Sequence, residues 1–72
     1  MNIKSILNEG ISILKESKIP NPQLESEILL SNSIKKDKKY IILNPKESLS
    51  SEQAETFKSL IERRKKKEPV AY

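Results

Sequence analysis

Residues 19–30, Ile-Pro-Asn-Pro-Gln-Leu-Glu-Ser-Glu-Ile-Leu-Leu, decide the fold because they end one helix and begin the next. The residue before a proline is disfavoured in the α region, so Pro20 ends the helix that precedes it. Asn21 is a favourable N-cap, and Pro22 suits the first helical position. Apolar residues then recur at helical spacing, which predicts a second helix over about residues 22–35. Its predicted apolar face consists of Leu24, Ile28, Leu29, Leu30 and Ile34.

The segment before this boundary has the same periodicity and predicts a first helix over about residues 2–17. Its apolar positions are Ile3, Ile6, Leu7, Ile11, Ile13 and Leu14. Gly10 lies inside this helix and costs about 1 kcal/mol relative to alanine. Such a glycine indicates either a close helix crossing or a position where glycine is simply tolerated.

Two further helices are predicted after the second. Asp37 can cap a short helix that carries Tyr40, Ile41 and Leu43 and ends before Asn44-Pro45, and residues 45–49 are expected to add one more turn.

A capping box formed by Ser50 and Gln53 predicts a last helix over about residues 51–66, closed by Glu68-Pro69. Its apolar stripe consists of Ala54, Phe57, Leu60 and Ile61. No strand-like alternation appears before Val70. The predicted fold class is therefore all-α, a small antiparallel bundle of four to five helices.

The composition limits the chemistry that this chain can perform. Its 72 residues make one small domain with a thin core, and it contains neither cysteine nor histidine. Disulfides and thiolate metal sites are excluded, and the commonest general base and metal ligand are missing. We expect no metal, cofactor-binding or catalytic residues here. The N-terminus is too polar for a signal peptide and no segment suits a membrane span, so a cytoplasmic, monomeric protein without membrane contact is expected.

Two basic runs, residues 35–39 and 63–67, dominate the net charge of +4. They would be phosphate contacts in an RNA-binding module, but no base-stacking aromatic residues are interleaved with them. Cations after helix C-termini also complement the helix dipole while remaining solvated, and this interpretation is favoured. Arg63, Lys65 and Lys66 are retained as a possible basic patch for a protein partner.

The remaining polar residues have structural interpretations that outweigh catalytic ones. The acidic residues Glu25, Glu27, Glu52 and Glu55 are expected to be solvated charges on helix faces, since no pattern gives them a partner. Tyr40 is expected at the rim of the core with its hydroxyl group in water. Asn44-Pro45 begins like the Asn-Pro-Pro-Tyr motif of amino-group methyltransferases, but Lys46-Glu47 follows, so it is interpreted as a helix stop.

The C-terminal residues resemble the HemK/PrmC family of release factor glutamine methyltransferases. The family pattern is Arg-x-x-Gly-Glu-Pro, then an aliphatic residue, alanine, and tyrosine or histidine. Arg64 and residues 68–72 match this pattern, while Lys67 replaces its glycine. Pro22 and residues 25–30 are similar to the family's second helix, and the helix with Phe57 matches as well. The resemblance covers the whole chain as the family's N-terminal domain.

The resemblance implies a two-domain enzyme that uses S-adenosylmethionine to methylate the glutamine of the Gly-Gly-Gln motif in peptide-chain release factors. Residues 1–66 would form the helical partner-binding bundle. Residues 67–72 would begin a linker to a Rossmann-like catalytic domain, which carries the catalytic and cofactor-binding motifs that are absent here. The boundary residues Arg64, Glu68 and Pro69 are expected to be structural, with Arg64 pairing with Glu68 and Pro69 setting the exit angle.

The first hypothesis is therefore a domain that binds the release factor and orients it, without direct nucleic-acid contact. The alternative is an RNA- or ribosome-binding helical module that uses the lysine runs, which steep salt dependence would reveal. A third hypothesis is a bundle that only stabilises the catalytic domain.

Overall fold

The computed structural model describes residues 1–66, which form four α helices in an all-α bundle, as predicted. They are α1 (Ile3–Glu16), α2 (Pro22–Ile34), α3 (Lys38–Leu43) and α4 (Ser51–Lys65). Each observed boundary lies within about two residues of its prediction. The predicted helix stop at Glu68-Pro69 and the other residues of 67–72 lie outside the described part.

Local caps explain where three of the helices begin. The Asn2 and Asp37 side chains each accept a hydrogen bond of 2.8 Å from the backbone N–H three residues later. Ser50 and Gln53 form the predicted capping box with reciprocal bonds of 3.0 and 3.1 Å. Asn21 differs, because it precedes α2 in the left-handed region with φ of 53° and its side chain makes no capping bond. The predicted position of this cap is confirmed, whereas the side-chain mechanism is wrong.

Helix α2 is the central helix of the bundle and contacts α1, α3 and α4. Its buried residues lie on several sides of the helix rather than on one stripe. They are Glu25, Ser26, Glu27, Leu29, Leu30 and Ile34. Because three neighbouring helices cover much of α2, even some of its polar residues enter the interior. Leu24 was predicted on the apolar face, but its side chain is 42% exposed.

The core is a single apolar cluster contributed by all four helices and the α1–α2 loop. It consists of Ile3, Ile6, Leu14, Ile19, Leu29, Leu30, Ile34, Ile41, Phe57 and Ile61. Ser26 is fully buried beside this cluster, and its hydroxyl oxygen has no hydrogen-bond partner. A small side chain at this position allows close packing around α2, at the cost of one unsatisfied polar group.

Gly10 marks a close crossing of α1 and α4, which decides between the two interpretations of this glycine. A Cβ atom at Gly10 would lie 2.6 Å from Cζ of Phe57 and 3.1 Å from Cδ1 of Ile61. Both neighbours are buried, so neither can move away freely. The absence of a side chain at Gly10 therefore allows the Phe57 ring to pack between α1 and α4.

Residues 45–49 contain one hydrogen-bonded turn, in which the Glu47 amide donates to the Asn44 carbonyl at 3.2 Å, but no helix. They also run beside the N-terminus, where the Ile3 and Lys4 amides donate to the Glu47 and Pro45 carbonyls at 2.9 Å. Asn2 and Ser48 form an isolated antiparallel bridge. This segment satisfies the first amides of α1, which have no partner within their own helix.

Replacing Gly10 by alanine should lower the free energy of unfolding by about 1–3 kcal/mol, because the added methyl group overpacks the contact with Phe57. Chemical denaturation of the chain measures this change. Ser12→Ala at an exposed position of the same helix is the control, and it should be neutral or slightly stabilising. A stabilised Gly10→Ala variant would show that helix propensity outweighs packing here, contrary to this account.

Candidate functional site

Two acidic side chains of α2 are buried, although all four candidate acids were expected to be solvated. Glu25 is 5% and Glu27 is 7% exposed, whereas Glu52 and Glu55 are exposed as predicted. A buried carboxylate needs a compensating partner, because the desolvation of an unpaired charge is costly. The prediction was wrong for Glu25 and Glu27, because the partners of these residues come from other helices.

Glu25 forms an ion pair with Arg64 of α4 that uses both of its carboxylate oxygens. The Arg64 Nε atom lies 2.5 Å from Oε1, and Nη2 lies 3.1 Å from Oε2. This bidentate geometry suits a guanidinium and ties the first turns of α2 to the last turn of α4. Only 19% of the Arg64 side chain is exposed. The described partner of Arg64 is thus Glu25, while Glu68 and Pro69 lie outside the described residues.

Glu27 contacts α3 from the other side of α2. Its carboxylate lies 3.9 Å from the Lys38 ammonium and 3.5 Å from the Gln23 amide nitrogen. Lys38 is half-exposed, so this ion pair is weaker than the pair formed by Glu25. Residues two apart in a helix point about 200° from each other, so Glu25 and Glu27 bind partners on opposite sides of α2.

The proposed basic patch lies at the C-terminal end of α4. Arg63, Lys65 and Lys66 are exposed there, where cations complement the helix dipole. Arg64 differs from these three exposed residues, because its guanidinium points inward and pairs with Glu25. Their use as a contact for a partner stays a prediction.

A second exposed surface, on α3, was not singled out from the sequence. Ile42 is 58% and Leu43 is 66% exposed, while Ile41 beside them is buried. The sequence signal was available in the run of three apolar residues. A helix of six residues that packs on one neighbour cannot bury all three, because adjacent positions point about 100° apart.

Tyr40 lies in α3 and packs against the edge of the core. Its position at the rim of the core agrees with the prediction, and its solvent-exposed hydroxyl group also donates a short hydrogen bond to the Glu47 carboxylate. The Lys36 ammonium lies 5.2 Å from the centroid of its ring, within the range of a cation–π contact. The hydrogen bond to Glu47 raises the pKa of Tyr40 above its usual value, with burial and the Glu47 charge adding to the effect.

At least two grooves lie on the surface of the described residues. One, of about 120 Å³, lies between α1 and α4 over Gly10 and Phe57. The other is broad and open, about 680 Å³, and runs from the end of α1 past Leu24 to Lys38. Neither groove contains a cluster of paired catalytic groups, and residues 1–66 hold no group of three acidic side chains placed to bind a metal. No described helix has the length and apolar character required to cross a bilayer.

Comparisons with known proteins match nearly the whole chain to one protein family. Residues 5–72 match the family model described as PrmC N-terminal domain. A bifunctional methyltransferase of Rickettsia bellii is 41% identical over 71 residues, which cover 99% of this chain and 13% of that protein. Release factor glutamine methyltransferases of Clostridium botulinum and Buchnera aphidicola are 36% and 40% identical over all 72 residues, which make up 25% of each relative. No solved structure gives a significant match.

Removing the Glu25 carboxylate should cost far more stability than removing the Lys38 ammonium. Glu25→Ala leaves the Arg64 guanidinium without its described carboxylate partner in a largely buried setting, which should cost about 3 kcal/mol. Lys38→Ala removes a half-exposed partner and should cost less than about 1 kcal/mol. Urea denaturation of both variants provides the comparison, and equal costs would contradict the assigned difference in burial.

Tyr40 should titrate above its usual pKa, and Glu47→Ala should return it toward the usual value. The native state holds this proton more tightly than the unfolded state. The resulting stabilisation is present below the unfolded pKa of about 10 and is lost as pH rises through the higher folded value. Tyrosinate absorbance in a Tyr72→Phe background measures Tyr40 alone. Glu16→Ala is the control, and an unchanged titration in Glu47→Ala would refute the assignment.

Proposed function

Because the chain belongs to the PrmC N-terminal domain family, we propose that it is the partner-binding domain of a release factor glutamine methyltransferase. The chain spans a quarter or less of the length of the relatives described above, so methyl transfer is assigned to the part of the protein that follows. Residues 1–66 form the bundle in this proposal, and residues 67–72 begin the linker to the catalytic domain.

The observation that carries the proposal is that the buried acidic side chains, which might otherwise act in catalysis, already form ion pairs between helices. The two buried carboxylates of the described residues, Glu25 and Glu27, are engaged by Arg64 and Lys38 of neighbouring helices. A buried acid that is already paired and far from a catalytic cluster is suited to holding helices together. The exposed side chains include two basic runs and the apolar pair Ile42 and Leu43, which suit the binding of a partner.

The cofactor of the whole protein is proposed to be S-adenosylmethionine, as methyltransferase relatives suggest, bound outside this domain. The residues described here do not fit such a ligand. The only glycine of the chain, Gly10, is covered by the Phe57 ring and cannot form a loop that approaches a nucleoside. No step of the reaction is therefore assigned to this domain.

The proposed contribution of the bundle is binding energy and orientation. A release factor would be bound by the bundle and by the catalytic domain at once. Its Gly-Gly-Gln glutamine would then lose less translational and rotational freedom on reaching the catalytic domain. The proposal places the protein in the cytoplasm, where translation termination occurs.

An NMR titration of the isotope-labelled chain with a bacterial release factor tests this proposal. At about 50 and 200 mM salt, the shifts should be confined to one part of the surface and should persist, because apolar contacts contribute alongside charge. An unrelated acidic protein of similar size is the control. The absence of shifts with the release factor at both salt concentrations would contradict the partner-binding role.

A further inference from the structure

We propose that the bundle docks its protein substrate through α3, at a surface formed by Lys39, Ile42, Leu43 and Lys46. The partner patch that fits this α3 surface has an apolar centre flanked by carboxylates. This inference rests on the proposed function and deepens it, because it names the part of the bundle that makes the contact and the chemistry that it recognises.

The apolar part of the α3 surface is exposed to solvent in the isolated bundle. Ile42 and Leu43 are more than half exposed, although every other isoleucine in the described helices is at least partly buried. Lys39 lies three and four positions before them, so the three residues share one face of α3. An apolar pair with a cationic rim has the composition of a protein-binding patch.

One of the two basic runs of the chain lies around this surface. Between Lys35 and Glu47 the chain has five lysines and only two acidic residues, which accounts for three of its four net positive charges. Both acidic residues are engaged locally, since Asp37 caps α3 and Glu47 accepts the hydrogen bond from Tyr40. No described carboxylate pairs with Lys39 or Lys46. The uncompensated cations favour a partner that supplies negative charge.

The position of α3 in the bundle keeps this surface apart from the point where the chain continues. Arg64, near the end of α4, meets Glu25 on one side of α2, whereas Lys38 of α3 meets Glu27 on the opposite side. Helix α2 therefore lies between α3 and the end of α4, from which the chain runs on. This arrangement favours a separate molecule over the downstream part of the same chain as the occupant of the α3 surface.

A protein partner fits the surface better than RNA does. Non-specific binding of single-stranded nucleic acid relies on aromatic rings on which bases can stack. Phe57 is buried, and Tyr40 carries the Lys36 ammonium over its ring. The described residues thus offer exposed aliphatic side chains beside the lysines rather than free aromatic faces.

The test measures release factor affinity by calorimetry for the whole 72-residue chain and three double variants. Ile42→Ser/Leu43→Ser removes the apolar centre without a change of charge. Lys39→Glu/Lys46→Glu reverses the sign of the charge on the rim. Lys15→Glu/Lys58→Glu makes the same change of charge at exposed positions outside both basic runs and is the matched control. Thermal unfolding of each variant checks that the bundle remains folded.

The two α3 variants should each weaken binding by about tenfold or more, and the matched control should change it by less than about threefold. Wild-type affinity in both α3 variants would overturn the α3 assignment while leaving the partner-binding role intact. Failure of the wild-type chain to bind would overturn both. Tighter binding of a single-stranded RNA than of the release factor, abolished by Lys39→Glu/Lys46→Glu, would assign the surface to nucleic acid instead.

Discussion

The ion pair between Glu25 and Arg64 is the interaction on which the arrangement of the bundle depends. Helix α2 packs against all three other helices, so its Glu25 carboxylate cannot reach bulk water. Burying that charge is tolerable only because a guanidinium 39 positions later meets it with two hydrogen bonds. The pair consequently fixes where the last turn of α4 lies on α2, and thus the place from which the chain leaves the bundle.

The same constraint separates the two cationic surfaces of the domain. Glu25 and Glu27 face opposite sides of α2, and each receives a cation from a different helix. One side holds the end of α4 with Arg63, Lys65 and Lys66, and the other holds α3 with its exposed aliphatic pair. In a bundle organised in this way, the α3 surface lies on the side of α2 away from the end of α4.

The sequence predicted the helices well because their boundaries depend on local chemistry. Pro20, Asp37 and the Ser50–Gln53 capping box act within a few residues, and periodicity identified most of the core. The partners of the buried acids were missed because they come from residues distant in sequence. The pairing of residues 45–49 with the N-terminus was missed for a similar reason, since it uses long-range backbone bonds. The predicted pairing of Arg64 with Glu68 involves a residue outside the described part of the chain, whereas the pairing of Arg64 with Glu25 was missed.

A double-mutant cycle on Glu25 and Arg64 tests the central claim most directly. Unfolding free energies of Glu25→Ala, Arg64→Ala and the double variant give the coupling between the two side chains, separate from the other contacts of each. The account predicts a favourable coupling of about 2 kcal/mol, because the pair is bidentate and largely buried. A coupling near zero would mean that the pair does not fix α4 on α2, and the proposed separation of the two surfaces would lose its physical basis.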